Sequence, residues 1–163
     1  MLEIFKTKQT VFNLKDLWKI LNETNYNNLK SKVSYYVKKW YLTRIRKWVF
    51  VKENFDKFEL ACKIYTPSYI SFETVLSQEG IIYQKIDTIY VASYLSRKIE
   101  ISYKDETIKI VYRKLKDGIL YTPDWIIKKD FYSIASAKRA IQDMKYLKKD
   151  FYFDNLKYES TVA

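Results

Sequence analysis

The apolar positions change period along the chain, and the change divides it. Leu14, Leu17, Trp18 and Leu21 recur at three- and four-residue spacing, as do Leu29, Val33, Tyr36 or Val37, and Trp40, so two amphipathic helices are expected in succession. Asn13 stands as N-cap of the first, with Asp16 in its opening turn. The polar run 22–25 is a turn from which Thr24 or Asn25 caps the second. A weaker helix over 2–8 would present Leu2 and Phe5 to one side, and Val11-Phe12 suits a minimal strand. After the second helix, Leu42, Ile45, Val49 and Val51 flank the polar bend of T-R-I-R-K, the pattern of a short hairpin.

Beyond residues 53–58 the texture is different. Phe58, Leu60, Ala61 and Ile64 indicate a short helix, and a further one is expected from Ser71 to Gln78, burying Phe72, Val75 and Leu76 and stopping at Gly80. T-I-Y-V-A-S-Y, K-I-E-I-S-Y and T-I-K-I-V-Y-R alternate, so they read as antiparallel strands with one wet face, a turn at 104–106 joining the last two. Their tyrosines suit a protein-contacting sheet face. Lys116-Asp117-Gly118 marks another turn, a helix spans Ile134 to Leu147, and FYFDNL at 151–156 packs aromatics back on the domain. The expected class is α+β: an N-terminal winged helix-turn-helix over 1–56, then a C-terminal domain over 57–163 mixing helices with an antiparallel sheet.

Charge sharpens this division. Residues 1–60 hold 13 basic and 6 acidic side chains, a net of +7, whereas 61–163 hold 17 and 13, a net of +4 over a longer stretch. Residues 25–52 carry eight of the cations and no Asp or Glu. Clustered positive charge is what phosphate contacts require. The candidate DNA-contacting residues are therefore Asn27, Asn28, Lys30, Lys32, Ser34, Tyr35 and Lys38 on the outer face of the second helix, with Arg44, Arg46 and Lys47 on the ribbon. Asn pairs bidentately with adenine, Lys reaches guanine or phosphate, and Ser and Tyr serve phosphate oxygens. The plainer reading is a solvated face in a Lys-rich chain. It leads to the alternative of a protein-interaction module whose basic winged-helix scaffold has no specific DNA target.

Absences narrow the chemistry. There is no His, which removes the commonest general base and the usual zinc ligand. With only two Gly, neither common glycine-rich phosphate loop can be built. No catalytic residue, cofactor or metal is expected. The single Cys62 fits a reducing compartment, no apolar run approaches the roughly 20 residues of a membrane span, and the first ten residues lack a signal core, so a cytoplasmic location is expected.

Three stretches resemble the AbiEi-type antitoxins of type IV toxin–antitoxin systems and their kin among transcriptional regulators: V-K-K-x-Y-L-x-R-I-R-K-x-V-F-V at 37–51, Y-T-P-S-Y-I-S-F-E-T-V-L-S-Q-E-G at 65–80, and I-A-S-A-K-R-A-I-Q-D-M at 134–144 with F-Y-F-D-N-L at 151–156. The resemblance implies repression of its own operon through a winged helix on double-stranded operator DNA; if that operator is an inverted repeat, two copies should bind it. It also implies neutralisation of a nucleotidyltransferase-like toxin, the cognate partner, through the C-terminal half. The chain departs from the family pattern at Trp40 and Trp48, where glycine is usual, which removes an easy left-handed position and points to a differently shaped bend. Ala137 and Lys138 replace the family's Pro and Glu, while Arg139 and Asp143 remain, four apart and placed to pair, ordinarily as a surface salt bridge.

Overall fold

The computed structural model describes residues 2–147 and is of mixed α+β class, in two units that meet in sequence between Ile64 and Tyr65. The first contains α1 (Leu2–Lys6), β1 (Val11–Asn13), α2 (Leu14–Ile20), α3 (Tyr26–Lys38), β2 (Thr43–Arg46), β3 (Val49–Val51) and α4 (Lys57–Ile64). The second contains β4 (Ser68–Ile70), α5 (Glu73–Gln78), β5 (Thr88–Ser93), β6 (Arg97–Tyr103), β7 (Glu106–Lys114), α6 (Asp117–Leu120), β8 (Ile126–Lys128), β9 (Ser133–Ala135) and α7 (Ala137–Tyr146).

Local chemistry sets the helix ends of the first unit. Asn13 and Asp16 form a reciprocal capping box at α2, each side chain accepting the other's backbone N–H at 2.9 Å. Asn25, rather than Thr24, caps α3 by accepting from the Asn27 amide. Helix α3 stops at Lys38 because the chain turns left-handed at Trp40 (φ 61°), with Trp40 N–H donating to Val37 and Tyr41 N–H to Tyr36. Trp40 therefore leaves the buried stripe on which periodicity placed it and is 86% exposed. Trp48, at the ribbon's bend, is left-handed too (φ 63°). Both tryptophans thus hold the conformation that glycine favours, so the bend keeps that shape at a steric cost of about 1–2 kcal/mol per residue.

Ile4, Phe12, Leu17, Leu29, Val33, Tyr36, Leu42 and Phe50 form the core of this unit, with Leu14, Ile20 and Leu21 partly buried against it. Two expectations fail in detail. Ile4, not Phe5, turns inward on α1, and Trp18 on α2 is exposed, its ring stacked on Tyr26 at 6.3 Å. The sheet order is β1-β3-β2, Phe12 lying opposite Phe50, and a register shift between Arg44 and Arg46 bends β2. Helix α4 belongs to this unit, so the boundary falls after Ile64 rather than after Asp56. Its Glu59 is buried and accepts the backbone N–H groups of Thr10 (3.0 Å) and Val11 (3.1 Å), closing the free side of β1.

The second unit is built on a six-stranded sheet, β6-β7-β5-β4-β9-β8. It is mixed, not antiparallel: β6 and β7 are antiparallel, but β7 lies parallel to β5, and β9 parallel to β4. The cause is the connection 94–96. It carries the chain past one strand lane before the β6–β7 hairpin folds back into the gap. Two lanes are about 10 Å, within reach of a short extended link at about 3.4 Å per residue. Tyr90 and Tyr112 project to opposite faces, since Tyr112 is paired with Val91 and Tyr90 with Val111, so the strand tyrosines do not make one face. Tyr112 is buried.

Two expected helices start late. Ser71 and Phe72 precede α5, Phe72 being held at φ 59° with its ring buried. Residues 133–135 add β9 before Ser136 caps α7 by accepting from the Arg139 amide. The segment 116–118 leads into the single turn α6, and Gly80 (φ 67°) ends α5 as expected. The aromatic stretch 151–156 lies outside the described residues.

Candidate nucleic-acid interface

Helix α3 presents two polar flanks, because residues three and four apart share a side. Lys30, Ser34 and Lys38 line one flank, with Asn27 at the next position of the same row. They face β2 and β3 across a groove of about 480 Å³ whose other walls are Arg44 and Trp48 and whose floor is Leu14, Val33, Val37 and Phe50. No carboxylate lines it. Arg44 lies over the Trp48 ring at 5.8 Å, and Lys30 over Tyr26 at 4.4 Å, so two cations rest on aromatic faces with their charge still at the surface.

The remaining candidates part from this groove. Asn28, Lys32 and Tyr35 occupy the opposite flank of α3. There Lys32 pairs with Glu23, which raises its pKa above the ordinary lysine value through that hydrogen bond, and Lys39 lies over Tyr35. Arg46 is half-buried behind the bulge, and Lys47 stands exposed at the bend. Trp48 had no place among the candidates. A large aromatic at a position needing φ > 0 was the available signal.

The acids of the first unit are largely absorbed by structure. Glu59 is held by backbone amides, Asp16 by its cap and by Lys63 at 3.0 Å, Glu23 by Lys32 and Glu3 by Lys6. Residues 25–52, which hold α3 and the ribbon, contain no Asp or Glu of their own. Lys52 is the exception in setting: partial burial lowers its pKa, Glu59 opposing, and its ammonium donates to the Thr7 carbonyl.

Charge is used differently in the second unit. Arg139 and Asp143 on α7 are 3% and 1% exposed, so the expected surface pair is a buried one, 3.1 Å apart. The guanidinium also donates to the Tyr69 hydroxyl and to the carbonyls of Ile119, Thr122 and Asp124, pinning α6 and the segment that follows it. Asp143 accepts from Tyr69 (2.9 Å) and Ser71 (2.7 Å). Burial pushes the Asp143 carboxyl above the usual carboxylate range, against the opposing pull of Ser71 and of Arg139; burial, then the Asp143 charge, pushes the Tyr69 hydroxyl far up. Arg113 forms a second fixed centre, forked onto Glu73 at 2.6 and 2.7 Å between the rings of Tyr90 and Phe72. A hollow of about 770 Å³ lies over β5, β7 and β6, lined among others by Arg97, Lys98, Glu100, Lys109 and Lys114.

Comparison with protein-family models gives no match, and comparison with curated proteins gives none. Among the described residues no helix is long and apolar enough to cross a membrane.

Proposed function

We propose that this chain is a non-enzymatic, DNA-binding transcriptional regulator of the AbiEi antitoxin type, its first unit acting as a winged helix-turn-helix. Helix α3 is the recognition helix, and the β2–β3 ribbon is the wing. The observation that carries the reading is the carboxylate-free groove where Lys30, Ser34, Lys38 and Arg44 come together, in a unit whose acids are tied up elsewhere. A helix and an adjacent ribbon with cations on facing sides can straddle a phosphate backbone while polar side chains reach base edges. Asn27, Ser34 and Lys38 are then the base-facing set, with Lys30, Arg44 and Lys47 on phosphates. Asn28, Lys32 and Tyr35 belong to the far flank and contribute less.

The test is a salt titration of duplex binding. With about six phosphate contacts, affinity falls about a thousandfold between 50 and 200 mM salt. A flat response would remove the proposal and leave the interaction-module alternative, for which the exposed Trp40 is the natural anchor. Toxin neutralisation by the second unit rests on the resemblance. Co-expression with a nucleotidyltransferase-like toxin encoded beside the gene tests it, and absence of rescue would strike out that half.

A further inference from the structure

Among the described residues the two sheets have four outer strands: β1 and β2 in the first, β6 and β8 in the second. Strands β1 and β8 have three residues each, and β2 has four and is interrupted by a register shift. Short and bulged edges resist pairing with another chain. Strand β6 lacks both protections. It runs seven residues without a proline, in unbroken register with β7 from Arg97 opposite Tyr112 to Tyr103 opposite Glu106. No described strand pairs with its outer side.

Its side chains are self-complementary in one register. Lys98 and Glu100 are exposed on one face, while Ile99 and Ile101 are buried on the other. If two copies pair antiparallel about a two-fold axis at Ile99, Lys98 of each copy stands opposite Glu100 of the other, twice. Moving the axis to Lys98 or to Glu100 sets that residue against itself, and like charges directly opposite repel. An axis between residues mixes the two faces, setting charged side chains against isoleucines. The axis at Ile99 alone sets Lys98 opposite Glu100, in a closed, isologous seam that also brings Arg97 opposite Ile101.

We propose that β6 is a homodimerisation strand, two copies joining their sheets edge to edge about Ile99. This does not depend on the DNA-binding reading. The test is sedimentation of the full chain and two charge variants, each checked for folding by circular dichroism. The unaltered chain should dimerise with rising concentration. Lys98→Glu alone and Glu100→Lys alone each set like charges across the seam and should weaken association at least about tenfold. Mixing the two variants pairs an acidic strand with a basic one and should restore a heterodimer. A chain that stays monomeric at the highest concentration it tolerates overturns the proposal. So does a dimer indifferent to either substitution, or a mixture that fails to associate.

Discussion

Arg44 and Arg139 are the same residue put to opposite uses. Arg44 lies on the open ribbon of the first unit, its guanidinium over an indole and its charge facing solvent. Arg139 is sunk in the second unit, with one carboxylate, one hydroxyl and three carbonyls taking its donors. The contrast extends to the acids. In the first unit Asp16 and Glu59 serve a helix cap and backbone amides; in the second, Asp143 and Glu73 meet arginines directly. One unit keeps positive charge at its surface. The other uses charge to hold its own loops and strands.

The comparison predicts where the chain breaks. The largest effect comes from cutting it. A fragment of residues 1–64 should fold and melt cooperatively, whereas residues 1–56 lose Glu59, strand the Thr10 and Val11 amides, and should show no cooperative thermal transition by circular dichroism. Equal melting of the two fragments would show that α4 is dispensable.

Next is the buried pair. Asp143→Ala leaves Arg139 buried without its counterion, and urea denaturation should register a loss of about 3–5 kcal/mol. A loss below about 1 kcal/mol would place this pair with ordinary surface bridges. The sign with pH follows from the raised carboxyl. The native state binds the Asp143 proton more tightly than the unfolded chain, so this group favours folding in acid, and its contribution falls as pH rises from the unfolded carboxylate value through the native one. Stability of the Asp143→Asn variant should lack that component.

The open cations should behave in reverse. Lys38→Ala with Arg44→Ala should shift stability by no more than about 1 kcal/mol in total, yet lower the salt slope of DNA binding by about two. Lys32→Ala, on the far flank and paired with Glu23, should change the slope less. An equal effect from Lys32 would make the groove irrelevant to binding.

The smallest effect concerns Trp40. Replacing it with Gly relieves a left-handed non-glycine residue and forfeits little burial, but adds freedom to the unfolded chain. A net gain of about 0.5 kcal/mol is expected by urea denaturation. Trp48→Gly should gain less, because it also removes the groove wall on which Arg44 rests.

What could be read from residues was what neighbours in sequence decide. Helices α2 and α3, their caps at Asn13 and Asn25, the ribbon and the stop at Gly80 are set by groups within a turn or two of each other, and periodicity and side-chain chemistry suffice for them. The basic excess of α3 and the ribbon was equally legible, but not which flank of α3 meets the ribbon, because that depends on how Phe50 and Val37 pack. Depth and strand order were not legible either. Tyr69 and Asp143 bond across 74 positions, and Thr10 and Glu59 across 49. Arg139 and Asp143 look like any i, i+4 pair until Tyr69, Ser71 and the carbonyls of Ile119, Thr122 and Asp124 close around them. A helix spacing says which side chains are neighbours; whether water reaches them depends on segments that the local pattern does not contain.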